Sequence, residues 1–242
     1  MLQLAHTYSI VALDPAAGQL GVAVQSHYFG VGVAVPWLEA GVGAVATQSF
    51  VEVSYGPLGL ALMRAGKRAP QALTALLAAD PRQDQRQVAM VDMHGNVAVH
   101  TGARCIAAAG HRTGDGYAVQ ANLMLQATVW DAMADAYEQS RGDLAARMLA
   151  ALEAAEAEGG DIRGRQSAAL VVVNAKPSGQ PWQDRVIDLR VDDHADPLNE
   201  LRRLLTVRRA YNDWNAAEEL LANNGIDEEA IATAAMARLT PA

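Results

Sequence analysis

His6-Thr7-Tyr8-Ser9-Ile10-Val11-Ala12, followed by Asp14-Pro15-Ala16-Ala17-Gly18, reads as a strand and the turn that stops it. Tyr, Ile and Val favour a pleated backbone, and the Asp-Pro-Ala-Ala-Gly cluster supplies turn chemistry. Strand side chains alternate, so Thr7, Ser9 and Val11 share one face and Tyr8, Ile10 and Ala12 the other. Two hydroxyls therefore point the same way at the start of the fold. Hydroxyls on strands usually satisfy backbone or solvent. A Thr or Ser opening a strand is also where one class of hydrolase keeps its nucleophile, with the residue's own freed α-amine as base.

The rest of the chain extends this strand into a layered fold. Residues 20–27 form a second strand, joined to the first as an antiparallel hairpin, and residues 30–37 are extended but Gly-rich. Residues 43–48 are a buried strand; strands arriving this early with no helix between them argue for an antiparallel sheet. Leu58, Ala61 and Leu62, then Leu73, Leu76 and Leu77, carry helical spacing over residues 55–65 and 70–79. Residues 87–92 and 97–101 flank Met93-His94-Gly95-Asn96, a hairpin signature. A shorter strand covers 118–122, and two helices fill 128–157, split at Ser140-Arg141-Gly142-Asp143. Glu153, Glu156 and Glu158 read as a solvated acidic face. Strands at 168–173 and 186–191 follow, then a helix from 196 to about 214 and a last one over 227–239.

The order of strands, two helices, strands, two helices, strands implies an α+β fold. Its layers are a four-layer α/β/β/α sandwich of two antiparallel sheets, with a short helical C-terminal tail. Residues 1–195 make the sandwich and 196–242 the extension.

Composition narrows the function classes. Of 242 residues, 51% are hydrophobic and 19% charged, which specifies a folded globular chain. The net charge of −8 disfavours nucleic acid and acidic membrane as partners. No basic region followed by a long apolar run marks a secretory signal, and Cys105 alone excludes an internal disulfide, so a cytoplasmic setting is expected. His6, His27, His94, His100, His111 and His194 are scattered without ligand spacing, so no metal is expected. Gly41-x-Gly43-x-x-Ala46 precedes a strand instead of opening a helix, so it is not a dinucleotide loop and no cofactor is expected.

The loop Gly159-Gly160-Asp161-Ile162-Arg163-Gly164-Arg165-Gln166-Ser167 has two readings. Glycines let backbone N–H groups approach a ligand, Arg163 or Arg165 can clamp a carboxylate, and Asp161 can orient an Arg or an amine. Equally, Gly159-Gly160 can end the preceding helix while Asp161 and Arg163 pair locally.

Six blocks in one order carry a resemblance. They are Thr7–Ala12, Leu20–Ser26, Pro36-Trp37, Gly41–Gln48, Tyr55-Gly56-Pro57 and the Gly-Gly-Asp-x-Arg-Gly-Arg-Gln-Ser-Ala run at 159–168. Together they resemble the bacterial family catalogued as domain of unknown function 1028, regarded as similar to the N-terminal-nucleophile hydrolases. The resemblance implies that superfamily's αββα fold and brings no known substrate; with Arg163 or Arg165 to hold a carboxylate, the expectation is a hydrolase splitting a C–N bond (amide, peptide or ureido) in a small carboxylate-bearing compound. Thr7 would be the nucleophile once its α-amine is free, with Ser9 the alternative and Asn122 or a backbone N–H the oxyanion donor. Ser26, His27, Thr47, Gln48, Asp161, Arg163, Arg165, Gln166 and Ser167 would line the substrate site. Residues 1–6 precede Thr7, so that amine exists only after their removal. The rivals are a non-catalytic small-molecule-binding protein on the same fold, and a homo-oligomer whose tail helix makes the subunit contact.

Overall fold

The structure, a computed structural model, describes residues 4–5 and 7–223; the helix expected over 227–239 and most of the segment before Thr7 lie outside them. The hairpin forms as its turn chemistry dictates. Strands β1 (Leu4–Ala5), β2 (Thr7–Asp14) and β3 (Gln19–Ser26) open the fold, and β2 and β3 pair antiparallel from Thr7↔Ser26 to Asp14↔Gln19. The Asp14 carboxylate closes their turn by accepting from the N–H groups of Ala16 and Ala17, both at 3.0 Å.

Next come β4 (Pro36–Glu39), β5 (Gly43–Phe50), α1 (Tyr55–Arg64), α2 (Ala69–Ala79), β6 (Arg86–Asp92) and β7 (Val97–Thr101). They are followed by β8 (Gly110–Gly114), β9 (Tyr117–Ala121), α3 (Val129–Gln139), α4 (Leu144–Ala157), β10 (Ser167–Asn174), β11 (Arg185–Val191) and α5 (Pro197–Asn223). The strands form two antiparallel sheets. One has six strands in the order β11-β10-β3-β2-β9-β8; the other has five, with β5-β6-β7 in sequence and both β4 and β1 on the remaining edge of β5. The class is therefore α+β, with five α-helices among the described residues.

Alternation along each strand decides what it buries. Val11, Val22, Val24, Ala44, Ala46, Ala89, Val91 and Ala118 form one cluster between the sheets. With aromatics at 5%, small side chains let the two sheets approach closely. The opposite face of the five-stranded sheet packs Val45, Val88 and Met90 against Tyr55, Leu60 and Met63 of α1 and Leu73 of α2. On the six-stranded sheet, α4 lies over β2 and β3. Asp143 caps α4 by accepting from the Ala146 N–H at 2.8 Å. Gly21 is what allows the close seat of α4: a Cβ there would lie 2.4 Å from the Met148 methyl.

Four features depart from the sequence reading. Val31–Val33 is a 3-10 turn, not a strand, because Gly30 enters it in the left-handed region at φ 64°. The strands β1 and β8 were not expected: one is two residues long, and Gly110-His111-Arg112-Thr113-Gly114 has little strand propensity of its own. Finally, α5 continues past residue 214 to Asn223. The chain divides inside α5 into two units, at Leu201/Arg202; Leu198 and Leu201 are buried in the first. No helix among the described residues is long and apolar enough to cross a membrane.

Met148 is fully buried over Gly21. Met148→Ala is expected to destabilise the protein by about 2–5 kcal/mol, read from urea unfolding midpoints; a loss below about 0.5 kcal/mol would show that α4 does not depend on this seat.

Candidate functional site

The alternation read from the first strand holds. Ser9 and Val11 face the other sheet, while the Tyr8 hydroxyl points to α4 and donates to Glu156 Oε2 at 2.7 Å. Burial, then the Glu156 charge, raises the Tyr8 pKa well above its usual value. Glu156 is thus no solvated acid: its other oxygen takes Arg165 Nε at 3.1 Å.

At the start of β2, where both sheets meet, Thr7, Ser9, Ser26, Gln48 and Asn122 are all fully buried. The Thr7 hydroxyl donates to Ser26 Oγ at 3.2 Å. Its carbonyl oxygen accepts from Gln48 Nε2 at 3.0 Å, Asn122 Nδ2 at 3.4 Å and the Asn122 backbone N–H at 3.1 Å. Both carboxamides also donate to Gln87 Oε1, Gln48 at 2.8 Å and Asn122 at 2.9 Å. Ser9 donates to Gln48 Oε1 at 2.6 Å and accepts from Gln120 Nε2 at 3.2 Å.

Gln87 and Gln120 escaped the sequence reading. Each was legible by alternation: Gln87 shares a face with Ala89 and Val91, and Gln120 with Ala118, all inward. A polar residue on an apolar strand face was the available signal.

Two non-glycine residues among those described have positive φ, Ser49 at 70° and Leu123 at 57°. They immediately follow Gln48 and Asn122, the two residues that grip the Thr7 carbonyl. Non-glycine residues held in this region cost of order 1 kcal/mol and concentrate where geometry is under functional constraint. The backbone is bent on both sides of Thr7 to bring those carboxamides in.

The loop after α4 is tied down by bonds of its own. Gly159 and Gly160, at φ 110° and 55°, end the helix, with Gly160 N–H returning to the Ala155 carbonyl at 2.9 Å. The Asp161 carboxylate is buried and takes Arg163 Nε at 3.0 Å and Nη2 at 2.6 Å, so Arg163 is already clamped. Asp161 also accepts from the His27 backbone N–H at 3.3 Å, and Ile162 and Gln166 bond the Leu123 and Ser26 carbonyls, both at 3.2 Å. The loop therefore closes over the strand ends carrying Ser26 and Asn122.

The remaining residues part company. His27 Nδ1 lies 3.3 Å from the Arg165 carbonyl, and Gln166 Nε2 donates to Asp193 at 3.1 Å. Ser167 donates to the Tyr28 carbonyl and accepts from Val31 N–H, an internal strut. Thr47 does not join Gln48: as its strand neighbour it faces the opposite way and bonds the Glu52 carbonyl at 3.2 Å. Both hydrogens of the Asn122 amide have partners here, Gln87 Oε1 and the Thr7 carbonyl, so Asn122 holds Thr7 in place. Among the described residues, no group of three or more His, Cys, Asp or Glu side chains is placed to hold a metal ion.

The sequence profile of a family of unknown function, DUF1028, matches residues 7–201, from Thr7 to the end of the first unit. The chain belongs to the DUF1028 family. A crystal structure of a DUF1028-family protein from Silicibacter pomeroyi matches with a TM-score of 0.75 at 30% identity, over 83% of this chain and 84% of that one. A comparison with curated proteins finds no match.

In this DUF1028 chain, the left-handed backbone at Ser49 makes a sharp test of the site's construction. Ser49→Gly is expected to be neutral or stabilising by up to about 1 kcal/mol, and Ser49→Val to destabilise by more than about 1 kcal/mol, in denaturant unfolding. Equal stabilities for the two variants would contradict the backbone constraint.

Proposed function

We propose that the protein is a hydrolase of a C–N bond (amide, peptide or ureido) in a small carboxylate-bearing compound, with Thr7 as nucleophile. Its layers are read as the four-layer αββα sandwich of the N-terminal-nucleophile hydrolases. The observation that carries this reading is the hold on Thr7. It opens the central strand β2 at the meeting of both sheets, its hydroxyl lies on Ser26, and three N–H donors fix its carbonyl. Ser9 is the weaker candidate, because its hydroxyl is held by carboxamides on both sides.

In the proposed step, the α-amine freed by loss of residues 1–6 takes the Thr7 hydroxyl proton. A free α-amine has a pKa of about 7.7–8.0, suited to this near neutrality. Oγ1 then bonds the substrate carbonyl carbon, the C–N bond breaks, and the amine leaves with the proton. Water hydrolyses the resulting Thr7 ester, returning the hydroxyl and releasing the acid. The oxyanion donor falls to a backbone N–H, since the Asn122 amide is occupied. Arg165 pairs with Glu156 at 3.1 Å and Asp196 at 3.4 Å but keeps 41% of its side chain exposed, and it is the loop guanidinium assigned to a substrate carboxylate; Arg163 is 29% exposed, with Nε and Nη2 both on Asp161. The enzyme is taken to be a cytoplasmic homo-oligomer acting without metal or cofactor.

One observation favours the rival, a non-catalytic binding protein on the same fold. Leu4 and Ala5, within the segment to be lost, pair with Phe50 and Ser49 of the other sheet. Intact mass of the purified protein separates the readings: loss of residues 1–6 is expected. Thr7→Ala should then lower turnover of an N-acyl, peptide or ureido carboxylate by at least about 10³, while Ser9→Ala retains it. A chain that keeps residues 1–6 and is inactive throughout the panel would leave the binding protein as the reading.

A further inference from the structure

We infer that the protonation state of His111 is passed through the Thr101 hydroxyl to the Gln87 carboxamide, making Gln87 and Thr101 positioning residues for the grip on Thr7. The proposal deepens the Thr7 reading, but its geometry stands without catalysis.

The direction of each hydrogen bond follows from the inventory of donors. Gln87 Nε2 faces Thr101 Oγ1 at 3.0 Å and the carbonyls of Gly110 and Ala121 at 3.1 and 2.9 Å. Carbonyls only accept, so the NH₂ end of Gln87 must point there and its oxygen toward Gln48 and Asn122. Gln87 has two hydrogens for these three acceptors, so Thr101 Oγ1 shares one with a carbonyl, and the hydroxyl has one hydrogen of its own. The partner for that hydrogen is His111 Nδ1 at 2.8 Å. Donation to that nitrogen is open to a neutral His111 with its proton on Nε2.

Protonation places a second N–H on Nδ1, aimed at the same Thr101 oxygen. That oxygen then accepts from the ring, its own hydrogen turns away, and the share it takes of the Gln87 hydrogen weakens. Gln87 Oε1 is the common acceptor of both carboxamides that hold the Thr7 carbonyl, so the disturbance passes to both.

The surroundings favour the neutral ring. His111 lies at the surface, and partial desolvation of its ring first, then the neighbouring His100, hold its pKa below its ordinary value. Across β9 its register partner is the uncharged Gln120. The acids of α3, Asp131, Asp135 and Glu138, are engaged by Arg112, the next residue of β8 and hence on its other face; Glu138 also takes the Tyr117 hydroxyl. With the folded pKa depressed, this link's contribution to stability is complete above about pH 6.5 and is lost as pH falls through the folded pKa.

The test is NMR of the full chain from about pH 4.5 to 7.5, following the side-chain amide signals of Gln48, Gln87 and Asn122 with the His111 ring. The three carboxamides are expected to shift with the ring's midpoint, below about 6.5. Thr101→Val should abolish their shift while the ring still titrates, and Thr101→Ser should restore it. Should Thr101→Val fail to fold, His111→Phe should equally leave the carboxamides insensitive to pH. Carboxamide signals that stay flat through the ring's titration, or that still follow it in Thr101→Val, would overturn the proposal. None of these readouts needs turnover, so an inactive Thr7 would leave the result intact.

Discussion

Burying a carboxamide between two sheets is costly for each end left unbonded; Gln48, Gln87 and Asn122 avoid that cost largely by bonding one another, whereas Gln120 bonds through its nitrogen alone. Gln87 receives from the other two, and they in turn grip the carbonyl of Thr7. The arrangement ties β5 and β6 of one sheet to β2 and the end of β9 of the other. Slipping any of these strands by one residue would turn its amide to the opposite face and leave the others unbonded. The remainder of the interface is Val and Ala, which supplies burial without direction. Hydrophobic contact brings the sheets together, and this polar cluster at one end determines how they are aligned.

The same strand links that cluster to the helices. On the inner side of β2, Thr7 and Ser9 belong to the carboxamide network; on the outer side, Tyr8 bonds Glu156 of α4. Glu156 also holds Arg165, in the loop that follows α4 and whose Ile162 and Gln166 bond the Leu123 and Ser26 carbonyls. Thr7 therefore sits where three constraints meet: the strand pairing of β2, the inter-sheet carboxamides and the loop after α4. A backbone held from that many directions can sustain left-handed residues at Ser49 and Leu123.

Much of this was legible because period and turn chemistry agreed. Thr7–Asp14 and Gln19–Ser26 alternate around an Asp-Pro turn, and Asp143 marks the start of α4 by capping it. The failures have physical causes. Gly30-Val31-Gly32-Val33 has strand composition, but a left-handed Gly30 turns it into a 3-10 turn. The strand β8 is the first arm of a hairpin with β9 turned at Asp115-Gly116; that turn was its signal, since Gly110–Gly114 has little strand propensity of its own. At the site, the two hydroxyls and Gln48 stood out, but Gln87 and Gln120 did not, since a strand glutamine reads as half-exposed until the second sheet is in place. Thr47 was grouped with Gln48 by adjacency, although adjacency in a strand means opposite faces. Glu156 looked solvated from its helix alone; only β2 supplies the phenol that it accepts from.

The surroundings of Thr7 also bear on how it could act. While His6 is attached, the Thr7 nitrogen is an amide and has no basic lone pair to take a proton. An α-amine exposed there would have the neutral partners Ser26, Gln48 and Asn122 around its residue. Burial disfavours the ammonium form of an amine and a neighbouring carboxylate favours it. The buried Asp161 carboxylate, on the His27 N–H one residue beyond Ser26, is the charge that opposes desolvation at this end of the strand. On the proposed reading, the carboxamides would hold the Thr7 backbone without adding charge, so that the short transfer from Oγ1 to its own nitrogen would need no further rearrangement.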